Sequence, residues 1–136
     1  MGKLTILVAV AVAAATVALG ASAAAPTVTV RSSSYGPILF DGRGFVLYAF
    51  TADARGRSHC AGACAKAWPP YVVESAPHGR LLGATRRSNG FLQVTYAGRP
   101  LYYYVGDRKP GQILCQNVFE FGGRWLVVRP GGGLVR

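Results

Sequence analysis

The chain of 136 residues carries 15 Lys plus Arg against five Asp plus Glu, a net charge of +10, and only three Cys. That length suits one domain besides any segment removed on export, and it can bury a core without metal or several disulfides, so stability alone demands no cofactor. The positive excess fits solubility or attraction to polyanions. The arginines, however, are scattered through turns with neither a basic helix nor zinc-finger spacing, which argues against nucleic acid as a partner.

Residues 1–23 have the layout of a secretory signal peptide. Lys3 precedes an apolar run from Leu4 to Leu19, and Ala21-Ser22-Ala23 offers small residues for cleavage after Ala23. The run approaches the ~18 residues that span a bilayer, so a retained anchor is the competing reading. Cleavage leaves no membrane span. No Cys follows Gly20, and Ala21 stands where an amino-terminal lipid would attach. The expected location is therefore exported, periplasmic or extracellular, without a lipid anchor.

Residues 24–35 follow as an extended leader, in which Thr27 to Arg31 alternates as an edge strand or tether. Then comes the stretch that organises the rest. Gly36 to Asp53 is written again from Gly90 to Asp107 at a constant offset, Gly44 matching Gly98, Leu47 Leu101, Tyr48 Tyr102 and Asp53 Asp107, with Phe50 on Tyr104. Further on, Cys60 meets Cys115 and Trp68 meets Trp125.

Each copy reads as a β-hairpin: Ile38-Leu39-Phe40, the turn Asp41 to Gly44 and Phe45 to Thr51 in the first, Phe91 to Tyr96, Ala97-Gly98 and Arg99 to Val105 in the second. Period two places Tyr48 and Phe50 on one face and Leu47 and Ala49 on the other; both faces are apolar, so this strand is expected to be central. Between the copies, Ser58 to Trp68 is Ala-rich and suits one or two helical turns, stopped by Pro69-Pro70. Val118 to Phe121 and Trp125 to Val128 suggest a last hairpin about a Gly122-Gly123 turn.

The expected organisation is a single all-β domain over 36–130, made of two repeats of about 36–89 and 90–130, with a flexible tail at 131–136. Its architecture is a small antiparallel sandwich or barrel of pseudo-repeated hairpins, with a short helical turn near the cysteines.

Chemistry, if any, is expected near Ser58 to Pro70. Cys60 and Cys64 most simply form a disulfide in an exported protein. Loop entropy gives about 2 kcal/mol for so short a ring and about 4 kcal/mol for a link to Cys115, so energy alone favours the long link. Neighbours at i and i+4 of a true helix also sit too far apart for the short bond, at about 5–6 Å between Cβ atoms.

One thiol stays unpaired in either scheme. A soft-metal set of His59, Cys60, Cys64 and Cys115 for copper or zinc is the functional alternative, although its spacing matches no familiar zinc pattern. Asp53 and Asp107 invite a paired carboxylate site, against the more ordinary role of accepting backbone N–H bonds in the following turn. Tyr48, Phe50, Tyr96, Tyr102, Tyr103 and Tyr104 suit either a core ladder or a stacking platform for sugars or bases. No catalytic constellation is evident.

These motifs carry a resemblance. Tyr48, Phe50 and Asp53, with Tyr102, Tyr104 and Asp107, form a doubled Tyr-x-aromatic-x-x-Asp. Ser58, Cys60, Gly62, Cys64, Ala65, Trp68, Pro69 and Pro70 form Ser-x-Cys-x-Gly-x-Cys-Ala-x-x-Trp-Pro-Pro, and Gln93 to Tyr102 forms a third signature. The whole resembles a family of bacterial secreted repeats and predicted lipoproteins. The resemblance implies an envelope location and a Cys60–Cys64 bond, and names no activity. The chain departs from it at the absent lipobox Cys, at Asn89 in place of an Asp, and at Cys115-Gln116-Asn117 in place of a Gly-Gln-Gly.

The function expected is that of an exported, non-catalytic structural or binding protein of the envelope or extracellular space. The alternatives are a redox or soft-metal accessory beside respiratory or copper proteins, and a binder of polyanions, glycans or envelope polymer through Arg and Tyr.

Overall fold

The computed structural model describes residues 2, 12–18, 20 and 27–136. The expected signal peptide and its cleavage point fall largely outside the described residues. Among those described, no helix is long and apolar enough to cross a membrane.

Three small antiparallel sheets and one short helix build the domain, and the sheets do not close into a barrel. Strand β1 (Val28–Arg31) pairs with β2 (Ile38–Asp41). Strand β3 (Tyr48–Phe50) follows, and then helix α1 (Ala63–Ala67). Next come β4 (Val72–Val73), β5 (Leu82–Arg86), β6 (Leu92–Tyr96) and β7 (Arg99–Pro100), with β6 bonded to the other three. Last are β8 (Val118–Glu120) and β9 (Gly123–Val127), the latter lying between β8 and β3.

The repeat is a structural one, with refinements. Val28 opposes Asp41 as Leu82 opposes Tyr96, so β1 is the counterpart of β5. The expected leader thus contains a paired strand. Phe40 opposes Val46, whereas Thr95 opposes Pro100, so the first strands of the two copies match with a slip of one residue. The cause is the shorter second turn. Ala97 and Gly98, at φ 50° and 79°, make a two-residue turn whose two positive φ values follow the strand twist, while the first copy needs a longer loop closed by the Asp41 carboxylate on the amides of Arg43 and Phe45.

Two expectations at the carboxyl end are corrected. Glu120 opposes Gly123, so the last hairpin turns on Phe121-Gly122, both at positive φ, and Gly123 is already strand. A side chain at Gly123 would meet the Phe50 ring at 2.5 Å, so that close approach is what the glycine serves. The expected flexible tail instead folds back: Leu134 bridges Val128, the Val135 amide bonds the Val127 carbonyl, and Val135 is buried. An apolar side chain that covers the end of the core tethers what composition alone reads as loose.

The strands leading through Tyr48 and Tyr102 are apolar on both faces, and each face has its own core. One holds Ile38, Phe40, Val46, Tyr48, Phe50, Trp68, Tyr102, Trp125 and Val127; the other holds Leu39, Leu47, Ala49, Val94, Leu101 and Val128. Alternation along each strand sorts the residues between the two layers.

Candidate functional site

At the centre of the molecule the two copies meet on equivalent atoms. The Tyr48 amide bonds the Tyr102 carbonyl at 2.9 Å, and the Tyr102 amide returns the bond to Tyr48 at 2.9 Å. From this pair each phenol crosses to the other copy: Tyr48 Oη donates to Asp107 Oδ2 at 2.7 Å, and Tyr102 Oη donates to Asp53 Oδ2 at 2.7 Å. Each carboxylate's other oxygen accepts a backbone amide, His59 for Asp53 at 2.7 Å and Leu114 for Asp107 at 2.9 Å. Of the two roles expected of the aspartates, accepting backbone N–H bonds is the one seen, and the two carboxylates do not meet each other. The pair is of Asp with Tyr, not of Asp with Asp.

The aromatic rings obey the same two-fold rule. Trp68 and Trp125 stack at 4.1 Å and 4°, Tyr48 stands edge-on to Trp68 and Tyr102 edge-on to Trp125. The outer faces are covered from the opposite copy, Trp125 by Phe50 at 4.2 Å and Trp68 by Tyr104 at 4.8 Å. Glu120 serves both indoles, its Oε2 accepting from Trp68 and its carbonyl from Trp125. Tyr48, Tyr102, Trp68 and Trp125 are fully buried. The expected aromatic platform is accordingly core, with Tyr103 and Tyr104 only partly covered and packed against it.

Burial dominates the titration of this centre. It pushes both tyrosines well above the ordinary phenol range, and the bonds they donate to carboxylates push the same way. Burial also raises Asp53 and Asp107, with the amide and phenol bonds pulling back. In each Tyr–Asp pair the phenol keeps its proton, and both oxygens of the carboxylate are already engaged.

Around Asp53 the symmetry breaks. Tyr102 Oη also lies 2.7 Å from Ser58 Oγ. Since the single phenolic proton goes to the carboxylate, the Ser58 hydroxyl donates to the phenol, in keeping with its lowering effect on Tyr102. Arg87 then donates to Ser58 Oγ at 3.0 Å, to Gln93 Oε1 at 2.7 Å and to the Cys60 carbonyl at 2.6 Å. Around Asp107 the counterparts of Ser58, Gln93 and Arg87 are Ile113, Ile38 and Ser33.

This chain of polar groups forms the floor of a cleft of about 420 Å³ between the 54–61 loop and the end of β5. Arg57, His59, Thr85, Arg86, Arg87 and Ser88 line it beside Cys60. Along the sequence these arginines are scattered; the Arg86-Arg87 doublet is the local hint, and Arg57 joins it because the loop folds over β5.

Cys60 and Cys64 are bonded, with Cα atoms 5.3 Å apart. The helical objection falls away because Cys60 precedes α1, and Gly62 at φ 58° turns the chain between the two cysteines. Cys115, the counterpart of Cys60, is a free, partly buried thiol. Burial raises its pKa, while a hydrogen bond with Tyr104 pulls the other way.

The soft-metal set is not assembled. Among the described residues no group of three or more His, Cys, Asp or Glu is placed to hold a metal, two of its sulfurs share a disulfide, and His59 Nδ1 bonds the Ala52 carbonyl at 2.7 Å. Pro69 and Pro70 follow α1, with Pro70 bridging Tyr102 and the Pro69 carbonyl accepting the Tyr103 amide.

No curated protein and no solved structure matches the chain. A family described as a secreted repeat of unknown function matches it twice, over residues 29–71 and 83–129. The first match begins within β1 and the second within β5, the strands that the register makes equivalent. With both copies matched over well more than half of its length, the chain belongs to this family of secreted repeats and is an exported, all-β protein.

Proposed function

We propose that the protein is a non-enzymatic scaffold of the periplasm or extracellular space, cleaved after Ala23 and free of lipid, which binds its partners at the surface. One observation carries this: the motif residues that look chemically capable, Tyr48, Asp53, Tyr102 and Asp107, are bonded to one another across the repeats. Their work is to lock two halves together. A buried, fully partnered network of this kind specifies a rigid fold, and binding is left to groups outside it.

The redox and soft-metal reading is weaker, because the Cys60–Cys64 bond removes two of the thiolates it needs. The test combines fractionation with mass spectrometry of the exported chain. The expected result is a mature chain beginning at Ala24, recovered without detergent, with one alkylatable thiol before reduction and three after it. A chain retained in the membrane, or one with three reactive thiols and bound copper or zinc, overturns the proposal.

A further inference from the structure

We propose that the cleft between the 54–61 loop and β5 is a binding site for a phosphoryl group; this rests on the binding role just argued and gives that role a ligand class. The cleft, about 420 Å³, is of the size of small-ligand sites. Its lining supplies the guanidiniums of Arg57, Arg86 and Arg87, the imidazole of His59 and the hydroxyl of Ser88, and no carboxylate. Asp53 lies close by, but its oxygens are taken by Tyr102 and the His59 amide.

The positive charge here is only partly offset: Asp53 acts electrostatically on Arg87 from close by, but among the described residues none of Arg57, Arg86 and Arg87 makes an ion pair. Arg43 with Asp41 is the ion pair found among the described residues. Arg86 bonds only the Gly90 carbonyl, and Arg87 bonds only neutral groups while its buried Nε–H has no acceptor. A partly buried guanidinium that makes no direct ion pair and leaves one N–H without an acceptor is held at a cost that a bound anion relieves.

Guanidinium forks match the oxygens of phosphate two at a time, and a dianion answers several arginines better than a single carboxylate does. The walls are fixed beforehand: Thr85 Oγ1 donates to the Gly56 carbonyl at 2.6 Å, Arg87 holds the Cys60 carbonyl, and the disulfide closes the loop beyond. Little ordering therefore remains to be done on binding.

A second, more apolar cleft of about 430 Å³ adjoins the first, sharing Arg86 and lined by Val72, Val73, Phe91 and Leu92, with Glu74 as its one carboxylate. A phosphoryl group on an apolar carrier would use both clefts, and a free phosphate or phosphorylated polar molecule only the first.

The test titrates inorganic phosphate, at constant ionic strength against chloride, into the isotope-labelled mature chain, following backbone and Arg Nε resonances. Saturable shifts confined to Arg57, His59 and residues 85–88 are expected. Arg57→Ala and Arg86→Ala each weaken binding roughly tenfold, and Arg124→Ala, on the β8–β9 hairpin, leaves it unchanged. Arg87→Ala is avoided as the diagnostic because that side chain also braces the loop.

A parallel arm uses vesicles with and without phosphatidylglycerol. Binding that requires the lipid and is lost in Phe91→Ser marks a headgroup as the source, and phosphate binding indifferent to Phe91→Ser marks a soluble one. The proposal is overturned if phosphate shifts no more than chloride, or if Arg124→Ala weakens binding as much as Arg57→Ala. Failure here in a chain that is still exported and carries one free thiol removes the site and leaves the scaffold role standing.

Discussion

The two copies share a centre and differ at their ends. In the first, residues after Asp53 form a disulfide-closed loop and α1, and the carboxylate is joined through Tyr102 and Ser58 to Arg87. In the second, residues after Asp107 run past a lone Cys115 into the β8–β9 hairpin, and Ile113 and Ile38 fill the space that Ser58 and Gln93 occupy in the first. What is common to both copies is the part that buries aromatic surface. What differs runs from buried Gln93, set against Ile38, outward to the exposed loops. Structure and binding thus separate within one duplicated unit, because a core tolerates no change in volume while the loops above it do.

The largest expected effect comes from separating the copies. Each Trp is covered by an aromatic ring from the other copy and β3 bonds to β9 and Tyr102, both in the second copy, so residues 29–71 or 83–129 alone lose the fold and with it the whole ~5–15 kcal/mol typical of a domain. A dispersed amide spectrum from either fragment would show that the halves are independent.

Next is the stack at the centre. Trp68→Ala or Trp125→Ala is expected to destabilise by about 3–5 kcal/mol in chemical denaturation, and by similar amounts, as the symmetry requires. A loss confined to one of them would mean that only one copy contributes to the core.

The asymmetry has its own test. Gln93→Ile alone strips Arg87 of a buried acceptor and is expected to destabilise by about 1–3 kcal/mol. Replacing the group together, Ser58→Ile with Arg87→Ser and Gln93→Ile, copies the second half into the first and is expected to restore much of that loss while abolishing phosphate binding. A triple variant less stable than the single one would show that the polar network supports the fold and not the cleft. Reduction of the Cys60–Cys64 bond, absent from the second half, is expected to cost about 2 kcal/mol.

The smallest effect is that of pH. Asp53 and Asp107 are raised above 3.8, so the folded chain holds protons that the unfolded chain releases. Their contribution therefore favours the fold most below that value, declines as pH rises through the raised pKa, and is constant above it. Burial acts on Asp41 in the same upward direction, but bonds from the Phe45 amide, Tyr103 and Arg43 lower it overall, so its contribution is present above 3.8 and lost as pH falls through the lowered value. Denaturation midpoints at pH 4 and 6 are expected to differ in favour of pH 4, and Asp107→Asn to reduce that difference; an unchanged difference would leave Asp107 without a part in it.

Much of this was legible in the residues. The matching of Tyr48 with Tyr102 and Trp68 with Trp125, the strands with two apolar faces, the Ala-rich turn before Pro69 and the exported class all follow from pattern, since period and turn chemistry act over neighbours in the chain. That each tyrosine reaches the aspartate of the other copy, that Arg57 joins Arg86 and Arg87, and that Val135 returns to the core were decided by tertiary contact alone. Those partners lie far apart in sequence, and nothing local distinguishes a hydrogen bond made within a repeat from one exchanged between repeats; that is set by how the two copies pack, through the Tyr48–Tyr102 backbone pair and the stacked Trp rings.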